Sequence, residues 1–290
     1  MKRSADRDRD GRLHLSVHRD PATGAEALTL KGPVFKESWQ NDLALAAAST
    51  AHGVLRGQPT VEGTVQVARN AMAATSRLAD GLLARAPEGA VACKAGCDHC
   101  CHQAVGVTAP EALAIFDHLK STRSSGELAR VAAKISECHA QTSHLSSQDR
   151  FSPEHPCPFL DAGNCSIYDA RPLACRGMNS LDAGECATRL RDPQARAEFL
   201  ASGRGGHSYL EPIRAFHAIS AGLQLGLSEL YHLDMRPLEL TAAMQLLLAG
   251  PESGPGDWIS GQRPFESAVR ADATPDEGLQ DLSGAIAPRR

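Results

Sequence analysis

Residues 93–102 read CKAGCDHCCH, which sets four thiols within nine positions of a chain that holds nine cysteines in 290 residues. Cys93, Cys97, Cys100 and Cys101 follow i, i+4, i+7, i+8. In a helix that spacing puts all four sulfurs on one face. In a loop, Gly96 permits the tight bend that a metal knuckle needs. Either way the thiols converge. The intervening Lys94, Asp98, His99 and His102 are polar or charged, which a buried apolar stripe would not carry. Crowded thiolates of this kind suit soft cations, zinc or the iron of a cluster.

A second set follows in CPFLDAGNCSIYDARPLACRGMNSLDAGEC, with Cys157, Cys165, Cys175 and Cys186. Its spacings are longer than those of a zinc-finger pair. Pro156 and Pro158 flank Cys157, and Gly163 and Asn164 form a turn before Cys165. Asp169 is expected to cap a short turn that ends on Cys175. Arg171 and Arg176 are placed to offset the net negative charge of a four-thiolate site. Asn179, Ser180 and Asp182 are expected to cap the helix that follows. Cys138 stands apart in a helical pattern and reads as a small core residue. Eight cysteines then remain, enough for two four-thiolate sites, or for one cluster and one mononuclear metal. A set of seven cysteines and one histidine also fits, with His99, His102 and His155 as the nearby imidazoles.

Outward from these segments the chain is helical. Residues 38–57 are rich in Ala and Leu and stop at Gly57. Residues 60–86 bring Val61, Val65, Ala68, Met72, Leu78 and Leu82 mostly near one face. Thr108 and Glu111 form a capping-box pattern ahead of a helix. Further helices are expected at 127–145, at 192–202 behind Asp192 and Pro193, and as a C-terminal pair at 209–233 and 236–250. Ahead of all these, Leu13, Leu15 and Val17 alternate up to DPATG, and Leu28 and Leu30 follow, a β-hairpin pattern.

The fold class is therefore mainly α: a helical scaffold around an irregular cysteine-rich segment, with a small N-terminal hairpin. The expected organisation is a flexible leader and hairpin at 1–35, N-terminal helices at 36–88, and the cysteine segment at 89–205. The C-terminal helix pair occupies 206–250, and a flexible Pro/Gly-rich tail 251–290, from which Trp258 and Phe265 are placed to dock on the body.

Composition narrows the function. The net charge is −4 and the pI about 6.3, so the chain lacks the basic stripe of a nucleic-acid surface. No run of about 18 apolar residues occurs, so no membrane span is expected. The first residues, MKRSADRDRDGR, have no apolar core of a secretory signal. A reducing cytoplasm follows, where nine cysteines point to metal rather than disulfides. No P-loop, Ser-His-Asp set or paired-carboxylate signature is present, and SGRGGH at 202–207 follows a helix, not the strand a dinucleotide turn requires.

The order CKAGCDHCC, then CPFL, GNCSIY and RPLACR resembles the YkgJ-like cysteine-cluster family of CxxCxxCC-type zinc- or iron-chelating domains. Cys93, Cys97, Cys100 and Cys101 match its knot. Cys157, Phe159 and Leu160, then Cys165, Ile167 and Tyr168, then Arg171, Pro172, Cys175 and Arg176 match the rest. The resemblance covers residues 90–190 and implies metal chelation without settling the metal; an iron–sulfur cluster is preferred over zinc on the geometry of the thiols. Adjacent Cys100 and Cys101 do not both face one small tetrahedral ion easily, but they serve two metals or a larger cluster. One branch of the wider family looks like flagellin lysine-N-methylases, which implies an iron–sulfur, S-adenosylmethionine-linked enzyme as an alternative. CKAGCDHC also has the C-x3-C-x2-C spacing of radical S-adenosylmethionine enzymes, but the βα repeats of those enzymes do not follow. The third reading is a zinc-stabilised module that presents its helices to a protein partner; a redox partner belongs to the first.

Overall fold

In the computed structural model, which describes residues 14–31, 35, 37–86, 88, 90–202 and 207–270, small side chains decide how the longest helices meet. Helix α1 (Ser38–Leu55) buries Ala44, Ala48 and Ala51 along one stripe. Helix α9 (Leu210–Tyr231) lays Gly222 and Gly226 against it. A Cβ on Gly222 would overlap the Ala44 carbonyl oxygen and lie 2.7 Å from Ala44 Cα. The two backbones are therefore in direct contact, which only glycine allows.

Helix α2 (Val61–Leu83) completes this layer. Thr60 caps it by accepting from the Gly63 amide at 3.0 Å, and Val65, Ala68 and Met72 are buried as the spacing predicts. Helix α3 (Ala109–Thr122) and helix α4 (Ser125–Thr142) each begin in a capping box, Thr108 with Glu111 and Ser124 with Glu127. Four short helices follow: α5 (Ser147–Arg150), α6 (Leu173–Gly177), α7 (Ala183–Arg191) and α8 (Pro193–Ser202). Asp192 caps α8 as expected, accepting from the Gln194 amide at 2.9 Å. After α9 come α10 (Leu240–Ala249) and α11 (Gly254–Ile259). The chain is mainly α.

Three two-stranded ribbons accompany the helices. The expected hairpin forms from β1 (His14–Arg19) and β2 (Glu26–Lys31), with Leu15 opposite Leu30 and Val17 opposite Leu28. Two ribbons have no periodic signal in the sequence, because each strand is two residues long. The strand β3 (Gly106–Val107) pairs with β6 (Leu238–Glu239), and β4 (Leu160–Asp161) with β5 (Asn164–Cys165).

The two C-terminal helices exist, but they are not partners of one another. Helix α9 packs on α1, α2 and α6, whereas α10 packs on α3 and α4. Of the residues 251–290 read as a tail, 251–270 are packed on the body. Trp258 is 1% exposed and Phe265 is buried, Trp258 Nε1 donates to the Asp234 carbonyl at 3.0 Å, and Val269 bridges to Leu238. The leader, residues 1–11, and residues 271–290 lie outside the described residues. Among the described residues no helix is long and apolar enough to cross a membrane.

Candidate metal centre

The first cysteine segment is a loop, so the helical alternative for it falls. Gly96 takes φ +83°, the Cys97 amide closes a turn on the Lys94 carbonyl at 3.0 Å, and a 3-10 turn spans His99–His102. The second set rides on three supports. Cys157 and Cys165 flank the β4–β5 ribbon, whose turn uses left-handed Ala162 and Gly163. Cys175 sits on α6 and Cys186 on α7.

Backbone bonds stitch the two segments together. The Cys157 amide donates to the Cys101 carbonyl at 2.7 Å, and the Ala92 amide to the Ser180 carbonyl at 2.8 Å. The Ser180 amide donates to Cys93 Sγ at 3.2 Å. A Cβ on Gly163 would lie 3.7 Å from the Gly96 carbonyl oxygen, so the two turns abut.

The thiols sense one another accordingly. Burial pushes Cys93 up, and Cys97, Cys100 and Cys186 add to it. Cys100 is raised by its hydrogen bond to the Cys101 thiol and by burial. Cys157 is pushed up to about 12 by burial, with Cys175 and Cys165 contributing. Cys175 is likewise pushed up to about 12, by burial and then by Cys100 and Cys165. Burial also raises Cys165, against the lowering effect of Arg171 and Arg176. Cys93 thus senses Cys97, Cys100 and Cys186, and Cys165 and Cys175 each sense Cys100. All nine cysteines are free thiols.

The donor set fits a soft metal. Thiols held neutral by burial are the kind that a bound metal deprotonates outright. His99, His102 and His155 each have a buried Nδ1 without a hydrogen-bond partner, although His99 Nδ1 lies 3.7 Å from the Asp98 carboxylate. Cys138 is buried in α4 as expected of a core residue, although its charge is felt at Cys157.

Second-tier contacts hold the frame. Arg176 is buried and donates from Nε to the Arg171 carbonyl at 2.8 Å, from Nη1 to Ser76 Oγ at 2.6 Å and from Nη2 to the Asp169 carbonyl at 2.6 Å. Arg171 stacks over the Tyr168 ring, 4.0 Å from its centroid. Both arginines act electrostatically on Cys165 and favour its thiolate. The cap expected of Asp169 is not made. Glu111 of α3 takes that role and accepts from the Leu173 amide at 2.9 Å. Asp182 does cap α7, through the Glu185 amide at 3.0 Å, while Asn179 instead brackets the Tyr209 backbone and Ser180 serves Cys93.

Sequence reasoning missed Glu111 in this role, because a capping-box glutamate carries no sign that its second oxygen is used 62 residues away. It also missed Asp182, Glu185 and His207, whose ligand atoms lie within 4.8 Å of one another. This trio is exposed and already engaged: Asp182 caps α7, and Glu185 binds Arg189 and His207.

Residues 92–191 match the CxxCxxCC family model, described as a "putative zinc- or iron-chelating domain". All nine cysteines fall inside the match, which covers about a third of the chain. No curated protein and no solved structure matches the chain. That description is of metal chelation, and the match does not extend to the helices outside residues 92–191.

Proposed function

We propose that the chain binds iron as an iron–sulfur cluster, through Cys93, Cys97, Cys100, Cys101, Cys157, Cys165, Cys175 and Cys186. The number of thiols supports this reading: eight cysteines exceed what one tetrahedral zinc takes. Cys100, next to Cys101, is sensed from both cysteine segments, which suits the same assignment.

The cluster would supply one-electron chemistry or an open iron coordination position. Arg171 and Arg176 offset the charge of the thiolates, the Ser180 amide donates to Cys93 Sγ, and Cys157 and Cys175 are half-buried. Such chemistry belongs in a reducing compartment, consistent with nine free thiols.

Metal and acid-labile sulfide per chain, measured with the visible spectrum after anaerobic purification, test the proposal. Iron with sulfide and a brown colour supports it, and opens assays with S-adenosylmethionine and electron donors. Stoichiometric zinc without iron or sulfide overturns it in favour of a zinc-stabilised interaction module.

A further inference from the structure

Arg150 closes α5 and is 4% exposed. Its Nη1 donates to the His155 carbonyl. Its Nη2 reaches the Pro156 carbonyl at 3.3 Å and Cys138 Sγ at 3.5 Å. Cys138 Sγ in turn lies 3.7 Å from the Pro156 carbonyl oxygen. The two clamped carbonyls belong to the residues directly before Cys157. That cysteine is itself tied to the other segment by its amide bond to the Cys101 carbonyl.

Among the described residues no carboxylate forms an ion pair with Arg150, and its Nε is buried without a partner. A buried guanidinium without a counter-charge is costly. Neutral carbonyls ease that cost only in part. The sulfur that touches the guanidinium is Cys138, outside the proposed ligand set, and the clamped carbonyls lead directly into Cys157.

We propose that Arg150 is a positioning residue of the metal centre: it fixes the backbone that presents Cys157, and its charge balances the metal-bound thiolates from beneath. It lies outside the cysteine motifs, and unlike Arg171 and Arg176 it acts from the α4–α5 side. The inference rests on the metal-binding reading above. A nearby cation stabilises the more negative, reduced state of a cluster, so its loss moves the reduction potential to more negative values.

Wild-type, Arg150→Gln and Arg150→Lys proteins, purified without oxygen, are compared for metal affinity by chelator competition, for reduction potential, and for melting with and without metal. Arg150→Gln is expected to bind metal roughly 10- to 100-fold more weakly, the usual effect of an outer-shell partner, and to shift the potential negative. Arg150→Lys restores the potential but recovers affinity only partly, since an ammonium cannot reproduce the fork. If Arg150→Gln does not fold, the Lys variant is read alone: weaker binding at an unchanged potential supports the proposal, and wild-type affinity overturns it. Wild-type affinity and potential in Arg150→Gln overturn it, as does an equal loss of melting temperature with and without metal at unchanged affinity. If the wild-type protein holds zinc only, the iron assignment falls and Arg150 is read from zinc affinity: a tenfold loss supports its role, and no loss overturns it.

Discussion

Glu111 Oε1 accepts the Leu173 amide at 2.9 Å across 62 residues of chain. Its other oxygen accepts the Thr108 amide at 2.9 Å and the Thr108 hydroxyl at 2.8 Å. One buried carboxylate therefore starts two helices, α3 and the short α6 that carries Cys175. A five-residue helix has little stability of its own, so the position of Cys175 depends on this bond.

Glu111→Ala leaves three donors without their acceptor in a buried site. It is expected to destabilise the fold by about 3 kcal/mol and to lower metal content, because α6 loses its anchor. Denaturant titration of the metal-free protein, with metal analysis of the loaded one, checks both effects. An unchanged midpoint would show that the bond to Leu173 holds nothing in place.

Cys138→Ala separates the ninth cysteine from the other eight. Removing one small buried thiol is expected to cost about 1 kcal/mol, with metal per chain unchanged. Cys175→Ser is expected to lose metal outright. Equal metal loss in the two variants would place Cys138 among the ligands.

Gly222→Ala tests the contact between α1 and α9. The added methyl collides with the Ala44 backbone, which cannot yield without separating the helices. The expected cost is about 3 kcal/mol, read as a drop in melting temperature. Retention of the wild-type melting temperature would mean that the two backbones are not in contact.

Trp258→Ala tests the docking of residues 251–270. Loss of the buried indole and its bond to Asp234 is expected to cost about 4 kcal/mol. Limited proteolysis should then cut faster near Gly250 than it does in the wild-type protein.

The same region sets an acid dependence. Burial pushes the Asp234 carboxyl up, but hydrogen bonds from Arg236 more than offset this and leave it below its ordinary value. Arg236 also holds Glu266 low. Carboxylates depressed in the fold lend stability above their ordinary values of 3.8 and 4.5, and they lose it as pH falls through the depressed ones. Wild-type stability should therefore fall from about pH 4.5 downward, and Arg236→Met should flatten that slope. Denaturation midpoints between pH 6 and pH 2, roughly the range of carboxyl titration, decide it; parallel curves for the two proteins would exclude this ion-pair set as the cause.

The helices were legible because local rules govern them. Thr108 with Glu111, Asp192 with Pro193, and the Val65, Ala68, Met72 spacing each act within a turn or two. The cysteine segments were legible as a chemical inventory, eight thiols beside basic residues, and Trp258 as an apolar anchor in a polar stretch.

The rest depends on contacts distant in sequence. No local pattern says that Arg150 turns back onto the residues before Cys157, that Ser180 serves Cys93, or that α9 and α10 go to different neighbours. Two-residue strands such as β3 and β6 have no period to read. The sequence by itself determined the kinds of element and the soft-metal donor set, because propensity, capping and thiol chemistry belong to the residues. Tertiary structure decided which loops and helices carry the cysteines and which buried charges lie near them, because those depend on backbone contacts between segments distant in sequence.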